Sequence, residues 1–163
     1  MKNTVPALTY LGISACLVLA AYAGSLDNPF QYDDIHSIVE NPHIRSLANI
    51  PAFFVDPEFF SADPRNAMYR PLVLVSYALN YFVSDYQVWS YHVFNLGVHL
   101  GTSCLLYALV CQLGGTSLQG LLAGLLFALH PLASEPVNYI SSRSESLCAF
   151  FFLLAFLGYV RNR

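Results

Sequence analysis

Between Asp85 and Glu135 the chain runs 49 residues without an aspartate, glutamate, lysine or arginine. Roughly 20 apolar residues cross a bilayer's hydrocarbon as a helix, so this stretch is long enough to cross twice. Gly114-Gly115-Thr116-Ser117 interrupts it with turn-forming residues. The spacing predicts one span over Val93 to Leu113 and the next over Leu118 to Leu132. Composition agrees: 56% of residues are hydrophobic and 10% charged, against about 25% charged in a soluble domain. The fold class expected is an all-α integral membrane domain, in one piece over residues 1–163. The net charge of −3 carries no basic footprint for nucleic acid.

Two further apolar runs flank this pair. Val5 to Ala23 is 19 residues long and follows Lys2. The small-x-small pattern Ala21-Tyr22-Ala23 raises a cleaved signal peptide as the rival, but the run exceeds a signal core and is read as a retained helix. Ser146 to Val160 ends at Arg161 and Arg163. Residues 71–83, PLVLVSYALNYFV, are too short to span and suit an interfacial or re-entrant helix. About four spans result, with both termini on one side, and Lys2, Arg161 and Arg163 lie together as the positive-inside rule prefers. Residues 24–92 then form a long external first loop and residues 133–145 a second. The first loop holds eight of the ten acids and only Arg45, Arg65 and Arg70 as bases. Asp34 to Glu40 and Leu47 to Phe54 are candidate short helices, and Asn41-Pro42 and Asp63-Pro64 are turn signals.

Ionisable chemistry therefore gathers on one membrane face. Asp33 and Asp34 are adjacent, and mutual repulsion raises the pKa of one of such a pair, which suits a general base. A solvated loop or a helix cap is the plainer alternative. Arg70, where the loop returns to the membrane, has the fork geometry that binds a lipid phosphate. Its plainer role is a snorkelling anchor. His130, Glu135, Arg143 and Glu145 cluster around the second loop. His92, Asn95 and His99 share a helix face. Such groups more often link helices than bind metal, with a haem or chlorophyll ligand as the alternative. The four cysteines lack CxxC spacing and read as small apolar residues. No P-loop, GxSxG or HExxH occurs.

The series F-x-Y-D-D-x-x-x-I-x-x-N, Y-R-P-L, Y-H-x-x-N-x-x-x-H and F-A-L-H-P-x-x-x-E-P-V-x-Y-I-x-x-R-x-E-x-L occurs in this order over roughly residues 28 to 160. It closely resembles the N-terminal part of the GT-C polytopic glycosyltransferases. The nearest branch is the transmembrane, tetratricopeptide-containing O-mannosyltransferase type with its bacterial relatives. The resemblance implies transfer of a sugar from a polyprenyl-phosphate donor to a protein or glycan acceptor on the non-cytoplasmic face. That face would be of the cell inner membrane in a bacterium, or of the endoplasmic reticulum in a eukaryote. It implies Asp33 and Asp34 as the catalytic acids, with Asp33 as base. It implies Arg70 and Arg143 at the donor phosphate, and His130, Glu135 and Glu145 as second-loop support. No cofactor is expected, although Asp33, Asp34 and Glu135 are possible oxygen ligands for a divalent metal. Family enzymes carry more spans than the four expected here, so a partial module is the expectation. The alternative function is a non-catalytic subunit of a larger membrane complex, contacting other subunits through the aromatic-rich first loop (Phe53, Phe54, Phe59, Phe60, Tyr69).

Overall fold

The computed structural model describes residues 7–163, and among these the regular secondary structure is all helical, with no strand. The helices are α1 (Ala7–Tyr22), α2 (Ile50–Phe53), α3 (Pro71–Ser84), α4 (Val88–Gln112), α5 (Ser117–Leu129), α6 (Glu135–Asn138) and α7 (Arg143–Arg161). Residues 5 and 6 of the first expected span lie outside the described residues.

Two helical segments are long and apolar enough to cross a membrane, Val88–Gln112 and Ile140–Arg161. Ser117–Leu129 and Pro131–Asn138 pass the same test only as a pair bent by 63°. The bend has a local cause. Pro131 has no N–H to continue the α5 ladder, and His130 turns to an extended conformation at φ −71°, ψ 132°. Helix length alone thus supports two spans, or three with the bent pair, rather than the four expected. α4 begins five residues before the expected Val93. At about 1.5 Å per residue its 25 residues reach about 38 Å, beyond the ~30 Å hydrocarbon. α3 has 14 residues and is a shorter apolar helix, as residues 71–83 suggested.

The turn between α4 and α5 is built as the glycines indicate. Gly114 takes φ +92°, open to glycine at little cost. Thr116 then caps α5: its hydroxyl accepts from the Gln119 N–H, and the Gln119 side chain accepts from the Thr116 N–H at 2.8 Å. α5 runs back along α4 on its small residues. A Cβ at Gly120 would sit 3.0 Å from Cys111 Sγ and from Tyr107, and one at Gly101 would meet the Phe150 ring of α7 at 2.9 Å. α1 joins this stack through Tyr10, which stacks on Tyr107 and whose hydroxyl meets Ser103 at 2.6 Å.

The first loop is ordered by a small core of its own. Ile38, Ile44, Phe53 and Phe60 pack with Val73, Leu74 and Tyr77 of α3. Short helical turns at Ile35–Val39, Leu47–Asn49 and Ile50–Phe53 fall inside the two stretches expected to be helical. The buried Asn41 replaces missing backbone partners. Its amide donates to Ser37, Phe59 and Phe60 carbonyls, and its oxygen accepts from His43 N–H at 2.9 Å. The polar face of α4 links segments, as its spacing suggested. His92 bonds the carbonyls of Val137 and Asn28, Asn95 donates to Pro136 O at 3.0 Å, and His99 bonds Ala128 O.

Candidate functional site

Asp33 and Asp34 sit at a distorted point of the backbone. Tyr32 takes φ +45°, a left-handed conformation uncommon for a tyrosine. Ile35–Val39 is then a π-helical turn, closed by Glu40 N–H donating to Ile35 O at 2.8 Å. Single π turns and strained φ values concentrate at functional sites. The effect here is to send two adjacent carboxylates into different surroundings.

Asp34 is 1% exposed. Its carboxylate accepts from the Ser141 hydroxyl at 2.5 Å and from the Gln31 N–H at 3.0 Å. Burial pushes its pKa above the ordinary aspartate value, against the opposing pull of these hydrogen bonds. Asp33 is the open member, with its side chain 67% exposed. His36 Nε2 lies 3.6 Å from its Oδ1, and the other ring nitrogen of His36 meets Ser61 Oγ at 2.9 Å. The Asp33 N–H donates to the Tyr139 hydroxyl at 3.1 Å.

Asp33 opens onto a cavity of about 140 Å³, shared with His36, Arg70, Tyr139, Ser141 and Glu145. Arg70 lines the same cavity. Its guanidinium donates to Ser144 Oγ at 3.1 Å and lies 5.5 Å from the Phe60 ring centroid. Among the described residues no carboxylate lies within ion-pair distance of it, so its charge is free to meet an anion. Arg70 also heads a second, larger groove of about 380 Å³ between α3 and α7, lined by Leu72, Val73, Leu147, Cys148 and Phe151. A polar cavity and an apolar groove therefore share one arginine.

The structure brings Asp33, Arg70 and Glu145 to one cavity and buries Asp34 against Ser141, another residue of its lining. It does not bring the remaining residues to the cavity. Arg143 is fully buried between α3 and α4, with every contact a neutral oxygen or an aromatic ring. His130 is exposed beside Leu126 and Leu129, where its ring accepts from the Leu132 N–H at 3.2 Å. Glu135 is exposed at the start of α6. Among the described residues no group of three His, Cys, Asp or Glu side chains converges as a metal set would, so Asp33, Asp34 and Glu135 do not form one. His36, Tyr139, Ser141 and Ser144 escaped the sequence reading. Tyr139 and Ser141 stood inside a motif already noted, yet their partners are 106 and 107 positions away. No local spacing reveals such a pairing.

No family model and no solved structure matches the chain. Curated relatives do. Protein O-mannosyl-transferase TMTC3 of Homo sapiens is 33% identical over 150 residues, covering 90% of this chain and 16% of that protein. Protein O-mannosyl-transferase TMTC4 of Homo sapiens is 32% identical over 164 residues, covering 89% and 22%. Protein O-mannosyl-transferase tmtc2 of Xenopus laevis is 34% identical over 155 residues, covering 92% and 18%. The chain thus spans 16 to 22% of the length of these relatives. Over about nine-tenths of its own length, it is a sequence relative of the protein O-mannosyl-transferases, matching one segment of those proteins.

Proposed function

We propose that this chain forms the donor-side site of a glycosyltransferase that moves a sugar from a polyprenyl-phosphate carrier to a protein or glycan hydroxyl on the non-cytoplasmic face. One observation supports this above the others: an open carboxylate and a guanidinium with no carboxylate partner among the described residues line a single cavity, and the guanidinium also lines an apolar groove. A lipid-linked sugar needs that combination. Its phosphate seeks a cation at headgroup depth, its isoprenoid an apolar slot, and its sugar a polar space beside a base. In this reading α3 lies at the interface. The bent pair α5–α6 and α1 join α4 and α7 as four spans, with Arg161 and Arg163 on the opposite side.

The step is one displacement. The acceptor oxygen attacks the anomeric carbon, the bond from that carbon to the phosphate oxygen breaks, and the electron pair leaves with the polyprenyl phosphate. Asp33 takes the acceptor proton. Arg70 stabilises the charge that builds on the departing phosphate. Asp34 is closed off from the cavity and holds Ser141 in place. Glu145, on the cavity wall, contacts the sugar hydroxyls. With Arg70 supplying the positive charge, the reading is metal-free.

The groove carries its own probe, the exposed Cys148. With Cys16, Cys104 and Cys111 replaced by alanine, polyprenyl phosphate is expected to slow maleimide labelling of Cys148 by about tenfold at saturation. Arg70→Gln is expected to abolish that protection. Labelling indifferent to the carrier contradicts a donor site here.

A further inference from the structure

The second loop meets the first along one short strip, residues 139–145, YISSRSE. Tyr139 accepts from the Asp33 N–H, Ser141 donates to Asp34, Ser144 accepts from Arg70, and Glu145 lines the cavity. All four contacts depend on the register of the strip against the helices beneath it. Two side chains of the strip point the other way, the apolar Ile140, which joins the core, and the charged Arg143. Arg143 turns inward and is fully buried.

The guanidinium of Arg143 is used almost completely. Nε donates to Asn95 Oδ1 at 2.7 Å, Nη1 to Ser76 Oγ at 2.9 Å and to Asn80 Oδ1 at 2.7 Å, and Nη2 to Tyr91 O at 2.9 Å. The Phe94 and Tyr77 rings lie 4.4 and 4.8 Å from Cζ. Ser76 and Asn80 belong to α3, and Asn95 and Tyr91 to α4. Asn95 extends the lock, since its amide donates to Pro136 O at the start of α6. Among the described residues no carboxylate pairs with Arg143. A buried cation among neutral acceptors is a costly way to fill space. A rigid fork of directed donors is what only arginine supplies.

We infer that Arg143 is a positioning residue: it pegs the strip 139–145 to α3 and α4 so that Tyr139, Ser141 and Ser144 meet Asp33, Asp34 and Arg70 in register. Arg70 is then the guanidinium that meets the donor phosphate, and Arg143 acts through the groups it places. This rests on the reading of the cavity as a transfer site, but the peg itself is testable without it.

The test compares wild type, Arg143→Lys, which keeps the charge and loses the fork, and Asn80→Ala, which removes one acceptor. Amide hydrogen exchange is followed in peptides covering 31–34 and 139–142, with α5 as the internal control. Exchange in both site peptides is expected to rise about tenfold in Arg143→Lys, less in Asn80→Ala, with α5 unchanged. Transfer from a polyprenyl-phosphate mannose donor is expected to lose about a hundredfold in kcat, since misplacement of about 1 Å has that effect. Unchanged exchange in the site peptides overturns the inference. So does exchange that rises in α5 as well, the mark of a general folding residue. A tenfold rise in donor KM with exchange unchanged would return Arg143 to the phosphate. If the wild type itself transfers no sugar, the cavity reading fails, and the exchange data still decide the peg.

Discussion

Asp33 and Asp34 are neighbours in sequence and opposites in setting. The π turn and the left-handed Tyr32 put one carboxyl in the open and the other under Ser141. Mutual repulsion predicts a raised pKa in one of such a pair. The raised group is Asp34, and the leading cause is burial. A carboxyl whose folded pKa lies above its unfolded value favours the folded state most below the unfolded value. That contribution is lost as pH rises through the folded pKa. The stability of the wild type relative to Asp34→Asn is therefore expected to be greatest below about pH 4 and to decline from there as pH rises, levelling above the raised pKa. Thermal midpoints in detergent at a series of pH values measure this. A difference that grows with pH contradicts it. Arg143 teaches the complementary lesson. In sequence it is one more basic residue near a membrane edge, and only packing shows that it points away from the cavity.

At the scale of elements, much was legible because chain-breaking chemistry is local. Gly114-Gly115 ends α4, Pro131 ends α5, and residues 71–83 form a helix too short to cross. The start of α4 was less legible. Residues 88–92, VWSYH, carry polar groups that read as loop, yet tertiary contacts hold them in the helix: Ser90 O accepts from Asn80, and His92 bonds Val137 and Asn28. Helix contacts through glycine were also unmarked in the sequence. Gly124 is the tightest. An added Cβ would meet the Tyr10 ring and the Ser103 carbonyl where α1, α4 and α5 cross. Gly124→Ala is expected to destabilise by about 1–3 kcal/mol. Gly158→Ala, where a Cβ has open space, is expected to be neutral or slightly stabilising in its helix. Equal shifts in thermal midpoint for the two would contradict this packing.

At the scale of the whole molecule, the site exists because the two loops interlock, through residues as far as 107 positions apart. Asp33 meets Tyr139, Asp34 meets Ser141, Arg70 meets Ser144, and His92 of α4 reaches both Asn28 and Val137. The ordered motif series marked both loops, so the neighbourhood of the site was legible. Its membership was not. The motifs put Arg143, His130 and Glu135 beside Asp33 and Arg70. The fold instead brings Tyr139, Ser141 and His36, because side-chain direction within a loop is set by the packing beneath it. The central claim is that Asp33, held over this composite cavity, takes the acceptor proton in sugar transfer. The direct measurement is mannose transfer from a polyprenyl-phosphate donor in membranes containing the protein, comparing wild type with Asp33→Asn at equal protein level. The account predicts transfer by the wild type and a loss of about 100-fold or more in the variant. Transfer undiminished in Asp33→Asn would contradict the role of Asp33. No transfer in either would favour a non-catalytic subunit built on the same fold.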